Sequence, residues 1–169
     1  SRGIDSNSVV YNFSEFKKKV LEIKHKFNLS SLVETYLPGK EYSVGILQDS
    51  TNGTLRAMPI EIIIKKNRNG HCILDFNVKK DDEETVIAVT DTKIFKKLAK
   101  LGKEAFKALG GKSLGRIDIK MNHKGVPHFM EANLMPGLRK GYFYRSCLLN
   151  LDMTYEDMIF NIANTGLSS

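Results

Sequence analysis

The sequence predicts an α+β fold, a mainly antiparallel sheet packed against helices. Three observations carry this. Helical and strand patterns run in the order helix, strands, helix, strands, helix. Short turns containing Gly or Pro-Gly join the strand runs, which is hairpin spacing rather than the spacing of parallel crossovers. One apolar stripe at 3.6-residue period, over residues 90–111, separates the strand groups.

Taken in order, residues 1–8 are rich in Ser, Asn, Gly and Asp and read as loop, and "SVVYNF" reads as a short strand. "SEFKKKVLEIKHKFN" is a helix with Ser14 as N-cap; Phe16, Val20, Ile23 and Phe27 form its apolar stripe and its lysines a solvated face. "SLVETYL" and "KEYSVGILQD" are strands flanking the turn Pro38-Gly39. "TLRAMPIEIIIKK" and "HCILDFNV" are further strands, with Asn-Gly turns at 52–53 and 69–70. "TDTKIFKKLAKLGKEAFKALGG" is a helix capped by Thr90 or Asp91 and stopped by Gly110-Gly111. "SLGRIDIKM" and "VPHFMEAN" are strands joined by "NHKG", and "YFYRSCLLNL" and "TYEDMIFNIAN" are helices.

The 169 residues suffice for one domain with a core, and 41% apolar with 27% charged residues is ordinary globular composition. No apolar run approaches the roughly 18 residues of a membrane span, and the N-terminus lacks a signal pattern. Cys72 and Cys147 match no zinc spacing and read as reduced thiols of a cytoplasmic protein. The net charge of +7 suits an anionic ligand, but the lysines cluster on helix faces instead of interleaving with aromatics, which argues against nucleic acid. No Ser/His/Asp or Cys/His nucleophile set is present.

The hairpin 114–121/126–133 carries the chemistry. A two- or four-residue loop pairs odd with even positions, so Asp118, Glu131 and Asn133 share a face with Arg116 beside them. Three hard oxygen donors on a rigid sheet suit Mg²⁺. Solvent-facing surface ion pairs are the alternative, and geometry alone leaves both open.

"GRIDI", followed by Glu131, Asn133 and Pro136-Gly137, resembles the metal-binding end of ATP-grasp ligases, above all the D-alanine–D-alanine ligase branch. "LVETYLPGKEYSVGIL" resembles that family's nucleotide-binding segment, and "SRGI" the end of its phosphate loop. The resemblance implies an ADP-forming carboxylate–amine ligase that uses ATP and Mg²⁺ (or Mn²⁺) on a small amino-acid or carboxylate substrate. It implies Asp118, Glu131 and Asn133 as metal ligands, and Arg116 and the Gly137 N–H as donors to the acyl phosphate and oxyanion. It also implies Lys79 on the γ-phosphate, Glu34, Thr35 and Leu37 at the adenine, Glu41 at the ribose, and Ser1 and Gly3 in the phosphate loop. Residues 1–169 would be the C-terminal part of an ATP-grasp domain, inactive alone, with the N-terminal substrate domain and first half of the nucleotide grip upstream, and the longer protein could form a homodimer.

Two departures bear on substrate. Tyr142 and Phe143 stand where dipeptide-forming members carry a Ser-Leu pair for the second amino acid's carboxylate, with Arg139, Lys140 and Arg145 nearby, and Lys80 stands where D-alanine ligases tend to carry Tyr. The alternatives are therefore an ATP-grasp ligase for a different carboxylate and amine or thiol, and a non-catalytic nucleotide-binding domain.

Overall fold

The computed structural model of the chain describes residues 8–64 and 84–167. The elements are α1 (Phe13–Phe27), β1 (Glu41–Gln48), β2 (Leu55–Ile64), β3 (Glu84–Ala88), α2 (Thr92–Ala108), β4 (Leu114–Met121), β5 (Pro127–Asn133), α3 (Tyr142–Leu151) and α4 (Tyr155–Leu167). The expected strand at 71–78, the turn at 69–70, and Ser1, Gly3, Lys79 and Lys80 lie outside the described residues. The chain divides into two compact units, residues 1–38 with 64–84, and residues 39–63 with 85–169.

In the first unit, α1 begins one residue before the expected N-cap. Asn12, not Ser14, caps it: Asn12 Oδ1 accepts from the Glu15 N–H at 3.0 Å, and Glu15 returns bonds to the Asn12 amide and the Tyr11 N–H. This reciprocal arrangement satisfies donors that a helix start leaves bare, and Ser14 has no Glu or Gln three positions on to match it. The helix closes at Asn28, which is left-handed with φ of 53°. Residues 8–12 and 31–37 form no strand, contrary to the sequence pattern. A strand exists only by pairing, and no ladder among the described residues includes them.

The second unit is built on a five-stranded sheet of order β3-β2-β1-β4-β5, with β1–β2, β1–β4 and β4–β5 all antiparallel. Central β1 is buried from Tyr42 to Leu47, as an apolar run without alternation requires. Tyr42, Val44 and Ile46 join Ile117, Ile119 and Met121 of β4 in packing on Leu98 and Phe106 of α2. On the opposite face Leu47 and Met58 pack with Phe143 and Cys147 of α3 and Met158 of α4.

Two glycines set how closely the helices approach. A Cβ at Gly102 would lie 2.8 Å from Val44 Cγ1, and one at Gly45 would lie 2.8 Å from Ser146 Cβ. Of the two expected caps of α2, Thr90 and Asp91, it is Asp91 that accepts from the Lys93 and Ile94 N–H groups, which hold its carboxyl below the usual range. Gly110, at φ of 71°, follows the end of the helix.

The β4–β5 hairpin reaches its register differently from expectation. The turn is the odd three-residue loop His123–Gly125, closed by the Asn122–Val126 backbone bond of 3.0 Å, with Gly125 left-handed at φ of 69°. Near the turn, even therefore faces even: Lys120 pairs with His128. A β-bulge between Asp118 and Ile119 admits one extra residue, Met130, and beyond it Asp118 pairs with Glu131 and Arg116 with Asn133.

Two predictions follow from the packing. Gly102→Ala gains helix propensity, yet it is expected to lower stability by about 1–3 kcal/mol in urea unfolding, because the new methyl meets stiff Val44 in a full core. Burial, and then the charge and hydrogen bond of Glu61, push the Tyr42 phenol up to about 12. In the unfolded chain it ionises near 10. The unfolded state therefore binds fewer protons above that point, so stability should fall as pH rises between about 10 and 12. Unfolding free energies measured across that window should lose this component of the slope in Tyr42→Phe.

Candidate functional site

On the α3 side of the sheet, β4 presents Arg116, Asp118 and Lys120, β1 presents Glu41 and Ser43, and β5 presents Glu131 and Asn133. α3 covers the Leu47 end of this face, leaving the Asp118 end to polar residues.

Asp118 is the hub. Arg116 donates to it through both arms, Nε to Oδ1 at 2.9 Å and Nη2 to Oδ2 at 2.8 Å. Ser43, fully buried on β1 directly across from Asp118, donates its hydroxyl to Oδ1 at 2.9 Å. The pair is largely shielded, with side-chain exposures of 17% and 15%. Arg116 Nη2 also reaches Glu131 Oε1 at 4.0 Å, and its guanidinium lies 5.6 Å from the centre of the Tyr142 ring at the start of α3. The Asp118 carboxylate, the more distant Glu131 carboxylate and the Tyr142 ring thus together hold the Arg116 guanidinium.

The expected ligand set is brought together. Asp118 and Glu131 sit opposite one another, and Asn133 follows two residues on, opposite Arg116. Asn133 Oδ1 accepts from the Met135 N–H at 3.2 Å, which orients its amide as the chain leaves the sheet. Glu131 is the exposed member, at 65%. Among the described residues no three His, Cys, Asp or Glu side chains gather as a metal site. The cluster here is two carboxylates and an amide oxygen, a donor set that fits Mg²⁺ or Mn²⁺.

The other expected residues are dispersed. Glu41 lies on β1 and accepts from Lys120 Nζ at 3.0 Å, in a pair with exposures of 17% and 9%. Gly137 is exposed in the loop before α3, with nothing near its absent Cβ. Glu34 and Thr35 are exposed and Leu37 half-buried in an irregular segment of the first unit. Phe143 is a core residue, so of the pair at 142–143 only Tyr142 meets the polar face. A separate cavity of about 540 Å³ lies at the other end of β1, lined by Gln48, Asp49, Ser50, Lys112, Ser113 and Thr165 among others, and includes none of Asp118, Glu131 and Asn133.

Sequence reasoning missed Ser43 and Lys120. The signal for Ser43 was a lone aliphatic hydroxyl inside the run "YSVGIL", at a position whose neighbours two along are Glu41 and Gly45. The signal for Lys120 was its place on the Arg116 and Asp118 face, which demands a partner once that face is shielded.

The family described as D-ala D-ala ligase C-terminus matches residues 3–164. A D-alanine–D-alanine ligase of Geotalea uraniireducens is 26% identical over 158 residues, covering 92% of this chain and 47% of that protein. One from Streptococcus pyogenes serotype M49 is 27% identical over 146 residues, covering 84% and 40%. The chain thus spans about half the length of the curated relatives it matches. Among solved structures, the D-alanine–D-alanine ligase of Bacillus anthracis complexed with ATP superposes with a TM-score of 0.70 at 21% identity, covering 95% of this chain and 50% of that one. VanG D-Ala:D-Ser ligase of Enterococcus faecalis gives 0.67 at 17% identity, covering 91% and 43%. The sheet and helices are those of the ATP-grasp fold that the motifs implied. With the family pattern running through nearly all of its residues, this chain belongs to the D-ala D-ala ligase C-terminus family.

Proposed function

We propose that the chain is the C-terminal part of an ATP-dependent carboxylate–amine ligase of the D-alanine–D-alanine ligase kind, working in the cytoplasm through an acyl phosphate. The observation that carries this is the convergence of Asp118, Glu131 and Asn133 on one face beside Arg116. The curated relatives are D-alanine–D-alanine ligases, and one solved relative is described as complexed with ATP.

A substrate carboxylate oxygen attacks the γ-phosphorus of ATP, the bond to the bridging oxygen breaks, and ADP leaves. An amine nitrogen then attacks the acyl carbon, loses a proton, and inorganic phosphate departs. Bound Mg²⁺ would supply positive charge that offsets the negative charge developing on phosphoryl transfer. Asp118, Glu131 and Asn133 would hold it by their oxygens. Arg116, already forked towards this face, stabilises the acyl phosphate and the tetrahedral oxyanion, and the Gly137 N–H donates to the same oxyanion. Glu34, Thr35 and Leu37 meet the adenine, Glu41 the ribose hydroxyls and Lys79 the γ-phosphate, and Ser1 and Gly3 belong to the phosphate loop. The protein supplies position and charge, with no covalent nucleophile.

The test is Mg²⁺-dependent ADP release by the full-length protein with D-alanine, other D-amino acids and L-amino acids. Asp118→Asn and Glu131→Gln are each expected to lower kcat by about 100-fold or more, the scale of losing one charge-stabilising group. A full-length protein that neither binds ATP nor releases ADP with any of these substrates would sink the ligase reading.

A second reading, a ligase whose second substrate is not D-alanine, is favoured by Tyr142, whose ring lies against Arg116 where dipeptide-forming members carry Ser. Tyr142→Ser should then raise kcat/KM for D-alanine relative to bulkier amines in a competition assay scored by product mass. An unchanged ratio would assign Tyr142 to packing on Arg116 alone.

A further inference from the structure

Asp118 has one partner that the ligase reading leaves without a task. Ser43 is the third residue of central β1, fully buried, with its hydroxyl 2.9 Å from Asp118 Oδ1. An ionised carboxylate only accepts, so Ser43 is the donor. A hydroxyl inside an otherwise apolar, fully buried stretch of strand is costly unless bonded, and this one is spent on the carboxylate directly across the ladder.

The two partners of Asp118 differ in charge. The Arg116 guanidinium occupies both carboxylate oxygens, and a divalent cation seeks the same oxygens while repelling that guanidinium. Arg116 and the cation therefore compete for Asp118. Ser43 is neutral, comes from a different strand and does not compete. We infer that Ser43 is a positioning residue: its hydroxyl keeps the Asp118 carboxylate aimed when Arg116 yields it to a divalent cation. This rests on the metal role proposed above for Asp118. Ser43 touches no substrate; it acts through Asp118.

The experiment titrates Mn²⁺ into the full-length protein saturated with ADP, reading free Mn²⁺ by electron paramagnetic resonance. Four proteins are compared: wild type, Ser43→Ala, Ser43→Thr and Asp118→Asn. Ser43→Ala is expected to raise the Mn²⁺ Kd about 10-fold or more, the usual scale for losing a hydrogen bond to a metal ligand, while the ADP Kd measured without metal stays unchanged. Ser43→Thr, which keeps the hydroxyl, restores an affinity close to wild type. Should Ser43→Ala fail to fold, Ser43→Cys carries the test, since its weak donor predicts the same direction of change. A wild-type Mn²⁺ Kd in Ser43→Ala or its substitute overturns the inference. The metal reading is separately exposed: if Asp118→Asn binds Mn²⁺ as wild type does, that reading fails and this one with it. If Asp118→Asn loses Mn²⁺ and Ser43→Ala does not, only the Ser43 inference fails.

Discussion

Side chains on a β-strand alternate faces, and the polar site depends on that period of two being kept in register across three strands. Ser43, Asp118 and Glu131 line up on β1, β4 and β5 because their Cα atoms are direct ladder partners. A slip of one residue on β5 would send Glu131 and Asn133 to the α2 side and bring Met130 and Ala132 into the polar face. The three-residue turn alone produces that wrong parity, and the bulge at Met130 reverses it. The bulge is thus the local irregularity on which the rest of the polar face is built.

Charge on this face is handled by neighbours rather than by water. Along β4 the sequence runs Arg116, Asp118, Lys120 on one side, alternating in sign, and each finds an opposite charge on its own or an adjacent strand. A shielded ion pair contributes little net stability over an apolar pair of the same shape, yet removing one member leaves an uncompensated charge. Such a face is therefore an expensive way to make a core and a sensible way to make a binding surface. Cys147, by contrast, sits in the apolar cluster beneath α3, where burial pushes its thiol up to about 12 and leaves it inert as a nucleophile.

Elements whose identity is local were legible in the sequence. The α2 cap and stop follow from Asp91 and Gly110, the β1–β2 turn from Asn52-Gly53, and the composition of the acidic face from its alternation. What was not legible depends on partners far along the chain. The stretch "SLVETYL" has strand composition, but no sequence pattern says whether a ladder partner is present. The α1 start went to Asn12 because Glu15 could answer it, a reciprocal bond that a scan for apolar periodicity passes over. The odd turn and the bulge cancel, so the expected face was reached through an unexpected route. Ser43 and Lys120 matter only once β1 lies beside β4, and nothing within their own segments shows that.

The fork of Arg116 on Asp118 also bears on the order in which the molecule is assembled. In small zinc domains the ligands repel one another until the ion arrives, so folding and loading are a single event and a chelator unfolds the chain. Here the central carboxylate already carries a counter-ion from its own strand, two residues away, and a hydroxyl from the next. The sheet can close around this self-neutralised cluster with no help from solution. Loading of the proposed cation would then be an exchange on a finished scaffold, reversible without unfolding, and chelation would take it away while leaving the architecture standing.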